Sequence, residues 1–307
     1  MRSMTKTLMA LAVPTVLMAA TGANAALITQ WNYENQFGFS AFTQTAGSGT
    51  NIAGTTFNTH PTYAIGTNPA NPESGLATTL KWGVPVTDSR NPGRKQSALR
   101  LSDLGGVNTD GKQAGLVNTN GAFVPDISVF HDNFTIRGDS HFLSTATISA
   151  ALLLTAANPV TGDSIGPIPG NFLIKFKETP NDGTDHGGKC ADGVPIPAAG
   201  CPDIFVLDEA ASGQLTDILV AHIMGYTYRL DLDLGTTLVN LGPQACSDAG
   251  LPGACRGFIT DENKTNRVDV SFRIRAIKDP TQTPEPGMLA LLGLGLAGLG
   301  FARRSRK

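Results

Sequence analysis

Apolar and polar residues alternate with a period of two along several stretches of the chain. The clearest are residues 172–177, 226–234 and 268–277, where apolar side chains such as Phe272 alternate with polar ones such as Ser271. Such alternation predicts strands with one buried and one solvated face. No helical period stands out between the chain termini. Further strands are predicted at 27–33, 76–82, 98–101, 145–155, 204–207 and 218–224.

The composition agrees with a chain of short strands and many turns. There are 35 glycines and 19 prolines, and aromatic residues make up 7% of the sequence. We therefore predict an all-β domain over residues 26–280, built as a β-sandwich of antiparallel strands. Residues 43–71 are rich in Thr, Gly, Asn and Pro, which indicates a long irregular segment or edge strands joined by long loops.

The N-terminus has the three regions of a secretory signal peptide. Arg2 and Lys6 supply the basic region, residues 8–20 are apolar, and Ala23-Asn24-Ala25 fits the small-x-small rule for cleavage after Ala25. We expect signal peptidase to remove residues 1–25 and the mature protein to begin at Ala26; a retained N-terminal anchor is the alternative.

The C-terminus combines a short linker, a rigid tripeptide, an apolar run and a basic tail over residues 281–307. The run 287–302 has no charged residue, and as a helix it would rise about 24 Å, less than a typical hydrocarbon core of about 30 Å. Its glycines weaken it further as a helix. Basic residues immediately after the run favour a cytoplasmic tail, although a buried C-terminal helix is the alternative. The residues that define the signal are Pro284, Glu285, Pro286, Arg303 and Arg304.

This order of tripeptide, apolar span and arginine-rich end resembles the PEP-CTERM sorting signal of exported bacterial proteins. The resemblance implies a membrane cysteine protease of the exosortase type as partner, with cleavage near the tripeptide. It further implies export, transient anchoring in the inner membrane, and a final location at the cell surface or outside the cell.

The net charge of residues 26–286 disfavours one class of partner. Residues 26–286 contain 17 basic and 25 acidic residues, a net charge of −8. An acidic surface disfavours binding to nucleic-acid phosphates, so no nucleic-acid partner is predicted. It leaves weak binding of divalent cations open.

Four cysteines lie in the exported region, at positions 190, 201, 246 and 255. Oxidation outside the cytoplasm favours disulfides, and the short gaps favour two local pairs, Cys190 with Cys201 and Cys246 with Cys255, among three pairings that four thiols allow. A zinc site is the alternative.

Four short stretches, residues 82–85, 96–99, 130–136 and 265–266, resemble the THxN family of PEP-CTERM proteins, named for a Thr-His-x-Asn motif. His131 and Asn133 match the motif, whereas Phe130 stands at the Thr position. The resemblance implies an exported β-rich domain without an assigned activity. We expect His131 and Asn133 to hydrogen-bond nearby backbone and fix a strand; the alternative is a pocket, or a metal ligand together with Asp132.

Other candidate sites are weaker. Residues 181–185 place oxygen ligands on a turn, but they lack the spacing of a calcium-binding EF-hand loop. Asp231 and Asp233 are expected on a solvated strand face. The Gly-Asp-Ser sequences at 138–140 and 162–164 do not form the Gly-x-Ser-x-Gly nucleophile elbow of a serine hydrolase. No catalytic residue, metal site or cofactor is therefore predicted.

The sequence thus predicts an exported surface or extracellular-matrix protein with a non-catalytic structural or interaction domain. A carbohydrate-binding module for exopolysaccharide is the alternative, although Trp31, Trp82 and four tyrosines are few for that role. A secreted hydrolase is a third hypothesis.

Overall fold

The structure, a computed structural model, describes residues 26–45, 56–63, 72–103, 111–181, 186–212 and 215–280, together with Gly293, Gly295 and Leu296, which are helical. The predicted signal peptide, the tripeptide and the basic tail lie outside these residues, as do Asp182 to Asp185 of the candidate calcium turn. Within the described part, no helix is long and apolar enough to cross a membrane.

Strands form almost all of the regular structure, as the period-two alternation predicts. The fourteen strands are β1 (Gln30–Thr45), β2 (Thr56–Tyr63), β3 (Pro72–Trp82), β4 (Ser97–Asp103), β5 (Lys112–Asn118), β6 (Val124–Asn133), β7 (Phe142–Asn158), β8 (Ser164–Lys177), β9 (Asp203–Asp208), β10 (Ile218–Ile223), β11 (Tyr226–Asp233), β12 (Val239–Leu241), β13 (Cys255–Thr260) and β14 (Lys264–Lys278). Within the described residues up to 280, two short helices, α1 (Glu209–Ser212) and α2 (Pro243–Asp248), lie between strands.

The strands join edge to edge in one sheet rather than in two separate layers. Their order is β10-β11-β14-β6-β4-β3-β1-β7-β8-β9-β13-β12, with β2 paired to β3 and β5 paired to β1. All strand pairs are antiparallel. The all-β prediction is confirmed, but the predicted sandwich is not, because the sheet curls into a half-barrel.

Two long strands have partners that are staggered along their length. β1 pairs with β7 over its whole length, and on its other edge it pairs first with β5 and then, at Phe39, with β3. β14 pairs with β6 through its first half and with β11 through its second. Three register shifts between β1 and β7 add local twist and bending.

The apolar faces of β8 and β14 are buried, whereas the predicted strand at 218–224 has no fully buried residue. Val268, Val270, Phe272 and Ile274 of β14 are buried, as the alternation predicts. One core cluster surrounds Trp82 and a second surrounds Trp31. The alternation therefore identified the buried face correctly even though the sheet closes differently.

The face of β11 that was predicted to be exposed to solvent is partly buried. Asp233 is exposed, but Asp231 is 3% exposed. Arg275 Nε lies 2.6 Å from Asp231 Oδ2, and Arg273 Nε lies 2.9 Å from the same oxygen. These guanidinium groups, Arg275 first, hold the pKa of Asp231 well below its usual range and cover the carboxylate, which explains its burial.

A three-residue turn joins strands that are far apart in the sheet. β13 and β14 are connected by residues 261–263 alone, although seven strands lie between them in the sheet order. Asn263 adopts a φ of 61°, a left-handed conformation that asparagine tolerates well. Because the turn is so short, the two ends of the sheet must approach each other at this point.

Gly257 lies where the backbones of β9 and β13 leave no room for a side chain. It pairs with Val206, and a Cβ atom at this position would lie 2.1 Å from the carbonyl oxygen of Phe205. Glycine is therefore required by space here, because the contacting atom belongs to the backbone. Next to it, the rings of Phe205 and Phe258 stack with centroids 4.3 Å apart.

A buried acid–amide pair lies between β1 and β6. Asn35 Nδ2 donates to Asp126 Oδ2 at 2.5 Å, and both side chains are buried at the edge of a cavity of about 370 Å³ lined by apolar residues such as Leu230. The remaining oxygens, Asn35 Oδ1 and Asp126 Oδ1, have no partner within the described residues. Burial raises the pKa of Asp126 to about 7, against an ordinary value of 3.8.

Asp126→Asn is expected to stabilise the protein most at alkaline pH. Because its pKa is raised on folding, Asp126 binds more protons when folded than when unfolded, so its contribution falls as pH rises from about 4 to about 7. The neutral amide avoids this loss and offers a donor for Asn35 Oδ1. The difference in unfolding free energy between the variant and the native chain should grow by about 1–3 kcal/mol from pH 5 to pH 8 in urea titrations.

The exposed Asp233→Asn serves as the control, with an expected change within about 0.5 kcal/mol at either pH. A constant difference for Asp126→Asn across this range would contradict a neutral, buried Asp126.

Candidate functional site

The ends of five strands meet at one position in the curled sheet. Trp82 ends β3, Glu178 follows β8, Asp203 begins β9, Thr260 ends β13, and Glu262 lies in the turn between β13 and β14. Glu178 is 8% exposed, Asp203 0% and Glu262 4%. The topology thus places three carboxylates from distant parts of the sequence in one buried cluster, the acid cluster.

In each carboxylate of the acid cluster, one oxygen accepts a hydrogen bond from a donor and the other oxygen has no donor. Trp82 Nε1 donates to Glu178 Oε2 at 3.1 Å, and the Thr179 backbone N–H donates to Asp203 Oδ1 at 3.0 Å. Thr135 Oγ1 donates to Glu262 Oε2 at 2.9 Å. The other oxygens, Glu178 Oε1, Asp203 Oδ2 and Glu262 Oε1, are buried and have no N–H or O–H donor among the described residues when the acids are ionised. Glu178 and Asp203 lie close enough to share a proton through a hydrogen bond between their carboxyl groups.

Burial and mutual repulsion disfavour the ionised form of these acids. Burial raises the pKa of Glu178 to about 7. For Glu262, burial and then the charge of Glu178 raise the pKa to about 8. Burial and the two neighbouring glutamates raise the pKa of Asp203 well above its ordinary value. One oxygen from each residue lies within 4.8 Å of the other two, so three full charges cannot remain here uncompensated.

His131 and Asn133 connect β6 to the end of β13. His131 Nδ1 lies 2.8 Å from Thr260 Oγ1, and Asn133 Nδ2 donates to the Thr260 carbonyl at 2.8 Å. Asn266 Nδ2 of β14 donates to the Ile259 carbonyl at 3.0 Å. Pairing between β12 and β13 ends at Gly257, so these side-chain bonds join the two ends of the sheet where strand pairing does not.

The surroundings of His131 suit this bridging role. Its ring stacks on Trp82 with centroids 6.1 Å apart and meets the edge of Phe176 at 4.9 Å. Burial lowers the pKa of His131 to about 3, so the ring is a weak proton acceptor at neutral pH. Asp132 is held by Arg100 and by Thr265 instead, so the suggested metal pair of His131 and Asp132 is not assembled.

The disulfides hold the segments that carry the acid cluster. Cys190 pairs with Cys201, and Cys246 pairs with Cys255, which is the local pairing that the spacing favours. Cys201 precedes Asp203 by two residues, and Thr179 Oγ1 donates to the Pro202 carbonyl at 2.9 Å. Cys255 begins β13. Each bridge therefore anchors the start of a strand that leads to or from the cluster.

An open cavity borders one member of the acid cluster, Glu178. It has a volume of about 780 Å³, and its lining includes Glu178, Thr179, Asn181, Arg90 and Arg137. Asn181 Oδ1 is buried without a partner among the described residues. It lies against Gly200, where a Cβ atom would be only 2.0 Å away, so glycine is needed at position 200 to admit the amide.

Sequence reasoning did not identify Glu178, Asp203 or Glu262. Each is a single acid at a strand end or in a turn, where a solvated carboxylate is expected. The one usable signal is local: Glu178 and Asp203 directly flank strands whose faces are strongly apolar. Their convergence depends on the strand order, which the alternation does not give.

Comparison with known proteins adds one finding at the C-terminus. Residues 282–307 match a family described as the PEP-CTERM protein-sorting motif. The motif implies an exported protein that is processed by an exosortase-type membrane protease, with transient membrane association before an extracellular location. The THxN resemblance is not confirmed. A search of curated proteins found no match.

Asn133→Ala is expected to destabilise the fold by about 1–3 kcal/mol, because it leaves the buried Thr260 carbonyl without its donor. Chemical denaturation of the variant and the native protein measures the difference. The exposed Asn32→Ala on β1 is the control and should change the unfolding free energy by less than about 0.5 kcal/mol. Equal stability of Asn133→Ala and the native chain would show that Asn133 does not bridge the sheet.

Proposed function

We propose that residues 26–280 form a non-catalytic structural or interaction domain of a protein placed at the cell surface or in the extracellular matrix. The observation that carries this proposal is the burial of both tryptophans. Trp31 and Trp82 are 0% exposed, and each has its indole N–H bonded inside the protein, to Thr119 and Glu178 respectively. Indole rings that build the core are unavailable to stack on a sugar.

Two tyrosines and one histidine support the same proposal. Tyr228 is 0% exposed and its hydroxyl accepts the Ile28 N–H at 2.9 Å, while Tyr33 is 6% exposed. His131 is committed to Thr260. These side chains stabilise the curled sheet and are unavailable to stack on a sugar, which favours a scaffold over a carbohydrate-binding module. The THxN resemblance, which implies an exported β-rich domain, is consistent with this proposal.

Delivery of the domain depends on the two ends of the chain. Signal peptidase would release residues 1–25, and the C-terminal segment would hold the body at the inner membrane until an exosortase-type protease cuts near Pro284-Glu285-Pro286. Both prolines restrict φ and favour an extended backbone, a shape that a protease groove can bind along its edge.

Replacing Pro284-Glu285-Pro286 with alanines should leave a full-length species in the membrane fraction. Immunoblots of membrane and released fractions measure this, in hosts with and without the sorting protease. Thr281→Ala, which changes the linker and leaves the tripeptide intact, should be processed like the native chain. The same full-length, membrane-bound protein in both hosts would mean that the segment is a permanent anchor.

The purified protein should show no specific retention by exopolysaccharide from its host in affinity electrophoresis, compared with a non-binding protein of similar charge. Retention would contradict the scaffold proposal and favour the carbohydrate-binding alternative. Release of reducing sugar ends from the same polysaccharide would favour a hydrolase instead.

A further inference from the structure

We propose that Glu178, Asp203 and Glu262 form a binding site for a divalent cation, and that calcium is the ion that fits it. The three side chains are each more than nine-tenths buried. Each has one oxygen fixed by a donor from a different part of the fold and one buried oxygen without a partner. Other buried polar atoms of the described residues also lack a partner, but here three carboxylate oxygens lie within 4.8 Å of one another, an arrangement that a positively charged ligand would satisfy.

Nearby basic side chains do not neutralise the cluster. Arg90 acts on Glu262 only at a distance, and its guanidinium pairs with Asp88 at 2.8 Å. Lys177 acts on Glu178 in the same remote way. The ion pairs between described residues leave the three carboxylates without a basic partner, and buried charges without a partner are strongly unfavourable. The cluster must therefore take up protons or a cation.

The dimensions suit calcium. Two oxygens bound to one calcium ion at about 2.4 Å each are at most about 4.8 Å apart, and one oxygen from each acid lies within 4.8 Å of the others. All the candidate ligands are oxygens, which calcium and magnesium prefer. Magnesium usually retains several waters and demands a compact octahedron, which a deeply buried set of three carboxylates does not favour.

The surroundings offer a route and a further oxygen. The cavity of about 780 Å³ borders Glu178 and Asn181, which gives an ion a path from solvent. Asn181 Oδ1, also without a partner among the described residues, lies at this border. Asn181 begins the turn 181–185, which carries oxygen ligands but lacks the spacing of a calcium-binding EF-hand loop.

Trp82 provides a direct reporter of occupancy. Its indole nitrogen lies 3.1 Å from Glu178 Oε2, so excitation of tryptophan should sensitise the luminescence of terbium bound at the cluster. Calcium added to the terbium-loaded protein should displace the signal, with a calcium dissociation constant of about 1 mM or lower. Magnesium should compete less well. Trp82→Phe should abolish the sensitised emission, whereas Trp31→Phe, in the other core cluster, should retain it.

Two isosteric variants and one control test whether Asp203 and Glu262 bind the cation. Asp203→Asn and Glu262→Gln should weaken calcium binding by about tenfold or more in isothermal titration calorimetry and should reduce the rise of Tm that calcium produces in the native protein. In EDTA both variants should melt no lower than the native protein, since they lose a buried charge. Asp126→Asn removes a buried carboxylate outside the cluster and should keep the native calcium response.

Absence of calcium binding by the native protein at millimolar concentration would overturn the proposal and leave protons as the compensating charge. Native-like affinity in both Asp203→Asn and Glu262→Gln would also overturn it, as would an equal loss in Asp126→Asn. If one of the two variants fails to fold in EDTA, the other variant decides.

Discussion

The short connection between β13 and β14 is the constraint on which the rest of the structure depends. Residues 261–263 must join two strands that have seven others between them in the sheet. A flat or gently twisted sheet cannot satisfy this distance, so the sheet has to curl until its distant members meet. The change of partner on one edge of β1, the staggered partners on the two edges of β14 and the register shifts against β7 accompany the bending.

The two ends of the sheet meet in a junction at this turn, and strand pairing does not join them there. The side chains of His131, Asn133 and Asn266 bond to the end of β13 and replace the missing ladder. The same junction collects the acids that end neighbouring strands. Stability and the acid cluster therefore share one location: the bonds that close the sheet also determine how close Glu178, Asp203 and Glu262 lie, and the two disulfides anchor the strands on one side of it.

The features that depend on local sequence were predictable and those that depend on pairing order were not. Alternation at 268–277 gave both the strand and its buried face because the period of side-chain direction is a local property. The sheet order is set by long-range contacts, so the same strands were assigned to a sandwich. Asp231 was expected in solvent because a carboxylate usually is, and only the cross-strand arginines of β14 explain its burial.

Gly257 has a consequence for how this protein can vary. A side chain at that position would collide with the Phe205 carbonyl, so the spacing of β9 and β13 is fixed by main-chain atoms alone. Asp203 lies at one end of β9, directly opposite Thr260, and Glu262 follows two residues later. Substitutions in the loops can alter the rim of the cavity without altering the separation of these two strands. The mutational tolerance of the site is therefore uneven: a single methyl group at position 257 should be more damaging than a bulky replacement on the surrounding loops.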